Sequence, residues 1–219
     1  MYRKYIIILM AINISSLYAI LGGVGISGVS DGITFPEKVY TSEIPGIFEV
    51  TRDAIEKPIG IGGFAYLTII PFIDFEASGN LTAAPYTYSS KVLVTDADPE
   101  AIELALVKFT FNLSAQYPFF KFPTIRMYAG AGINSSAYTM IPTVETMTDI
   151  DLTRLSEPEY LAEQFGAEST GYHLEVGGRF KPPIIPFSLN ASARYNFVKD
   201  FFPDVESYLS LSVGLAFAT

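Results

Sequence analysis

The stretch Tyr208 to Phe217 constrains this chain more than any other. Leu209, Leu211, Val213, Leu215 and Phe217 are all apolar, and they alternate with Tyr208, Ser210, Ser212, Gly214 and Ala216. A period of two sets these groups on opposite faces of a strand. The apolar face needs an apolar partner, and most other strands repeat the same demand. The sequence supplies no helices to cover those faces, so lipid is the partner that remains.

Met1 to Ala19 reads as a secretory signal peptide: Arg3 and Lys4 at the charged end, an apolar run from Tyr5 to Ile12, and a small-residue exit from Ser15 to Ala19. Asn13, Ser15 and Ser16 stop that run short of the ~20 residues of a helical span. The second expected domain, residues 20–219, reads as eight strands. The first, Ile20 to Val29, is glycine-rich and weakly patterned. The second is Ile59 to Ile69 and the third Ile73 to Ala83, with Asp74, Glu76, Ser78, Asn80 and Thr82 on its polar face. In the fourth, Val107 to Tyr117, the polar set is Lys108, Thr110, Asn112, Ser114 and Gln116. The fifth, Ile125 to Ser135, carries Arg126, Tyr128, Gly130, Gly132 and Asn134 on that face. The sixth opens at Tyr172 and presents His173, Glu175, Gly177 and Arg179; the seventh presents Ser188, Asn190, Ser192, Arg194 and Asn196. The eighth is the stretch that opened the argument.

The connections alternate. Pro71, the pair Pro118 and Pro123, and the run Pro182 to Pro186 mark short turns after the second, fourth and sixth strands, since proline cannot donate to a ladder. The intervening connections, 30–57, 86–106, 140–168 and 199–206, are expected to be polar loops, with a short capped helix from Ser156 to about Gly166. They hold 20 of the 23 acidic residues and six of the 14 cations. An even strand count puts both termini on the side of the short turns, which in outer-membrane barrels is the periplasm.

On these carriers (dyad strands, turn alternation and the closing strand) residues Ile20 to Thr219 resemble the small eight-stranded bacterial outer-membrane barrels, the OmpA/OmpX-like class. The resemblance implies an all-β, antiparallel, up-and-down transmembrane barrel in the bacterial outer membrane. It implies membrane lipid and the barrel-assembly machinery as partners, and possible extracellular ligands at the loops. Members usually close on an aromatic residue; here Phe217 is followed by Ala218 and Thr219.

With the polar faces inward, Asp74, Glu76, Lys108, Arg126, His173, Glu175, Arg179 and Arg194 form the expected lumen network. Eight strands enclose a space that side chains fill, and charges there must pair. A plug is expected, with a narrow channel as the competing reading. A lipid-modifying enzyme would need His173 beside an inward serine, Ser188, Ser192, Ser210 or Ser212. Asp96 with Asp98, or Asp149 with Asp151, lacks the spacing of a calcium loop. The chain has no cysteine and a net charge of −9, which exclude thiolate metal sites and oppose nucleic acid. No cofactor is expected. A soluble lipocalin-like barrel would turn the Ser, Asn, Gly and Thr positions outward, leaving too few charges on its surface. The expected role is structural support or surface interaction through the acidic loops.

Overall fold

A computed structural model of the chain describes residues 22–41, 48–70, 72–92, 100–139, 166–202 and 205–218. The signal segment, the helix expected near Ser156, and the pairs Asp96 with Asp98 and Asp149 with Asp151 lie outside the described residues. The described residues contain no helix long and apolar enough to cross a membrane.

The chain opens with β1 (Gly22–Asp31) and four short strands, β2 (Thr34–Phe35), β3 (Lys38–Thr41), β4 (Phe48–Arg52) and β5 (Ile55–Glu56). Seven longer strands follow: β6 (Ile59–Ile70), β7 (Ile73–Val92), β8 (Glu100–Lys121), β9 (Ile125–Thr139), β10 (Gly166–Phe180), β11 (Phe187–Phe202) and β12 (Val205–Ala218). From β6 to β12 each pairs antiparallel with the next, and β1 closes the ring by pairing with both β6 and β12. The result is an eight-stranded, up-and-down antiparallel barrel without a free edge in its wall.

The wall is inside out by the standards of a soluble protein. Leu211, Val213, Leu215, Ile61, Leu113, Ile133 and Leu174 are all exposed on the outer surface, while the alternate positions are buried. From Leu209 to Phe217 the belt covers eight residue steps at roughly 3.3 Å each; at a tilt of about 40° this is ~20 Å of height, close to the ~25 Å band of transmembrane barrels. Ile70 at the end of β6 pairs with Ile73 at the start of β7. Residues 122–124 and 181–186 make the other two short turns, on the same end as Gly22 and Ala218; the Ala218 amide donates to the Pro186 carbonyl at 2.8 Å. Phe72, Phe119, Phe120, Phe122, Phe187 and Phe217 gather at that end, as an interfacial girdle requires.

Three expectations are corrected here. Residues 30–57 and 86–106 are not simply polar loops. β7 continues to Val92 and β8 begins at Glu100, paired without a break from Asp74 with Gln116 to Ser90 with Glu100. β4 adds to the far end of β7 and β3 adds to β4, so a four-stranded sheet rises above the ring. Pro118 is not a turn residue; it sits inside β8 at a register shift, with the strand running on to Lys121. The sixth wall strand starts at Gly166 rather than Tyr172.

This raised part, the crown, has its own core of Ile33, Phe35, Ile55, Ala84, Tyr86, Tyr88, Leu106, Tyr138, Phe201 and Tyr208. Each wall strand that enters it changes its inward residues from polar to apolar. On β7, Thr82 gives way to Ala84, Tyr86 and Tyr88; on β8, Lys108 to Leu106; on β9, Ser136 to Tyr138; on β12, Ser210 to Tyr208. The outer face changes the opposite way, from Leu81 and Ala83 to Thr87 and Ser89 on β7. Lipid outside selects a polar lumen, and water outside selects an apolar one.

Candidate functional site

Four cations and four carboxylates meet in the lumen among the described residues, in two groups. The larger group lies nearer the short turns. Arg126 on β9 grips Asp74 on β7 through two nitrogens, Nε to Oδ2 at 2.6 Å and Nη2 to Oδ1. Arg179 on β10 donates to Asp74 Oδ2 at 3.1 Å and to Glu76 Oε2 at 3.0 Å. Its guanidinium lies 4.1 Å from the ring centre of Tyr66 and 4.6 Å from that of Tyr128, so π faces cover it where carboxylates do not. Arg194 on β11 donates to Glu175 Oε2 at 2.9 Å and to Glu76 Oε1 at 3.3 Å. Gln116 ties the group together: its Nε2 donates to Glu175 Oε1 at 2.7 Å and its Oε1 accepts from Arg179.

Glycine makes that reach possible. Glu175 pairs in register with Gly130, which pairs with Gln116; His173 pairs with Gly132, which pairs with Ser114. Side chains of β10 therefore cross β9 where it has none and meet β8 beyond. A Cβ at Gly132 would clash with the Leu113 carbonyl oxygen and lie 2.7 Å from the His173 imidazole, so any other residue would have to shift both the backbone and the ring.

The second group lies at the crown end. Lys108 Nζ stands 2.8 Å from Asp31 Oδ2 and 2.8 Å from the Tyr208 hydroxyl, 4.1 Å above the Tyr208 ring centre. Asp31 also accepts from Thr82 Oγ1 at 2.8 Å and Ser210 Oγ at 2.6 Å. Asp31 falls in the 30–57 segment expected to be a polar loop; it is instead a lumen anion at the end of β1, and it brings the charges to balance.

Between the groups runs a belt of hydroxyls and amides, including Ser192 with Ser212 at 2.7 Å and Thr110 with Ser136 at 2.9 Å. Its voids are small. One cavity of about 20 Å³ touches Ser78, Asn190 and Arg194, and another of about 10 Å³ touches Asp31, Lys108 and Asn112. Each is about the space of a single water.

Of the eight residues expected in the lumen network, Asp74, Glu76, Arg126, Glu175, Arg179 and Arg194 meet in the larger group, Lys108 stands apart with Asp31, and His173 contacts Ser114. The serine beside His173 is not among the four the sequence suggested. Ser114 Oγ lies 2.8 Å from His173 Nε2, while Nδ1 has no partner among the described residues. The imidazole is fully buried, and among the described residues no carboxylate accepts from its Nδ1 as a catalytic triad requires. Among the described residues no group of three His, Asp or Glu is placed to hold a metal ion.

No protein-family model matches the chain, and no curated protein matches it in sequence. Among solved structures it is similar to the N-terminal β-barrel domain of Pseudomonas aeruginosa OprF, at 12% identity over 90% of this chain and 97% of that one, with a TM-score of 0.46. It is also similar to Ail, the attachment invasion locus protein of Yersinia pestis, solved with the heparin analogue sucrose octasulfate: 11% identity, 90% and 99% coverage, TM-score 0.47. Neisserial surface protein A gives 15%, 90% and 97%, with 0.44. The chain is an eight-stranded transmembrane β-barrel of the outer-membrane type. Ring closure, the apolar belt and the charged lumen establish this independently of those likenesses.

Proposed function

We propose that this chain is exported by its Met1–Ala19 segment, sits in the bacterial outer membrane with both termini in the periplasm, and works through its crown rather than through its lumen. The placement is supported by the position of Gly22 and Ala218 on the side of the three short turns. The observation that carries the functional reading is the contrast between the two ends of the wall. The lumen is filled by a charge-balanced network with voids of about 20 and 10 Å³. Above it, the crown spends four short strands and the extended ends of β7 and β8 on a folded surface with a separate core. A barrel needs none of that to span a membrane. The role is structural or one of surface interaction, with the crown as the contact surface. The sealed Ser114–His173 pair is read as lumen packing, which favours a non-enzymatic protein.

Conductance across planar bilayers tests the closed lumen. Wild-type protein is expected to show little steady current, with rare, small openings. Glu175→Ala or Arg194→Ala removes one partner of the pair at 2.9 Å and is expected to raise the current. A large, stable wild-type current would overturn the plug and favour a narrow channel.

A further inference from the structure

Arg52 is the one buried cation with no carboxylate partner among the described residues. It ends β4, in register with Lys38 on β3 and Tyr88 on β7. It is 6% exposed. Its Nη2 donates to the Pro36 carbonyl, its guanidinium stands 6.0 Å from the Phe35 ring centre, and its Nε is buried without any partner. Lys108, Arg179 and Arg194, the other buried cations, each have a carboxylate within 3.3 Å. The lumen is thus neutral, whereas the crown holds one charge that the described residues leave uncompensated, a costly arrangement in an aromatic core.

The neighbouring phenols do not supply the missing charge. Burial pushes Tyr86 and Tyr88 above the ordinary tyrosine range, so both keep their protons. Glu37, Asp53 and Glu56 are exposed to solvent, whereas Arg52 is buried.

We propose that Arg52 is the anchor of an oxyanion site in the crown, taking one carboxylate, phosphate or sulfate group of a ligand outside the cell. The Nε edge of a guanidinium offers two parallel N–H groups, the geometry an oxyanion accepts as a pair. The ligand carries a single such group at its docking end. On the crown Glu37, Glu49, Asp53, Glu56 and Glu103 outnumber Lys38, Lys57 and Lys91, and their net field opposes a polyanion. The site deepens the crown reading and rests on it only for where the ligand comes from; a barrel that conducted ions would leave the site intact.

The test uses the full chain, refolded in micelles, and reads the Nε–Hε proton resonance of Arg52, assigned by its loss in Arg52→Lys. Acetate, phosphate and sulfate are titrated in turn against chloride at constant ionic strength. A saturable downfield shift with at least one oxyanion, absent with chloride, is expected, and the anion that acts names the group. A flat response to all three overturns the proposal, and so does an equal response to chloride. A resonance already downfield that moves only in Glu43→Gln or Asp96→Asn also overturns it, because the counter-ion then belongs to the chain.

Discussion

The pair Lys108 and Asp31 offers the cleanest measurement of what a lumen charge contributes. It stands apart from the larger cluster, and both side chains are 3% exposed. Asp31→Asn keeps the shape but leaves one acceptor oxygen where Ser210 and Thr82 each bonded a separate carboxylate oxygen, and it strands the ammonium between the Tyr208 and Phe201 rings. Removing one partner of a buried pair typically costs about 3–5 kcal/mol, or between roughly two and four orders of magnitude in the folding equilibrium at ~1.36 kcal/mol per decade. Lys108→Met leaves the carboxylate with two hydroxyl donors, so its cost should fall at the lower end of that range. The double variant carries no charge at either position and should cost far less than the two singles together, with a coupling of about 2–4 kcal/mol. The assay is equilibrium urea unfolding in lipid vesicles, read by gel mobility of folded and unfolded forms and by circular dichroism. Additive single effects, or a single cost under about 1 kcal/mol, would refute the argument. The pair would then be solvated, and the lumen wetter than its voids indicate.

The remaining predictions bear on the faces and the topology. Leu211→Arg should cost about 2–4 kcal/mol in vesicle unfolding if that position lies near the bilayer midplane, whereas Ser210→Arg should act by crowding Asp31 and Lys108, with a cost that Lys108→Met relieves; equal, uncoupled costs would contradict the assigned faces. Because the chain has no cysteine, single substitutions report sidedness directly: an impermeant maleimide should label Glu103→Cys on intact cells and Ile184→Cys only after the outer membrane is permeabilised. Labelling in the reverse order would invert the proposed orientation.

The wall was legible because two independent signals agreed: alternation within strands and proline at every second connection. The face of each inward charge followed from that phase alone. Asp31 was not legible, because Gly22, Gly23, Gly25 and Gly28 leave β1 without an alternation to extend. Only closure of the ring, with Asp31 opposite Ser210, shows which way it points. Ser114 was missed for a related reason. Its contact with His173 spans two strand pairings across Gly132, and no single-strand pattern records which residues share a row around a barrel.

The crown was misread for a deeper reason, and it is the one that most affects function. In β7 the period of two never stops: Ala84, Tyr86 and Tyr88 remain inward, and Pro85, Thr87 and Ser89 remain outward. What changes is which set is apolar. Asp74, Glu76, Ser78, Asn80 and Thr82 are inward and polar below the change, so the same face carries opposite chemistry above it. A reading that tracks one apolar set sees the pattern end and assigns a loop. The inversion instead marks where the surroundings turn from lipid to water, because a strand pair can continue across that boundary only if its two faces exchange character. Lys108 stands at the boundary, its ammonium paired with Asp31 of the lumen and lying over the Tyr208 and Phe201 rings of the crown core. The level of that lysine therefore marks where the membrane ends on this barrel, and in the proposed orientation everything above it on β7 and β8 belongs to the surface the cell presents.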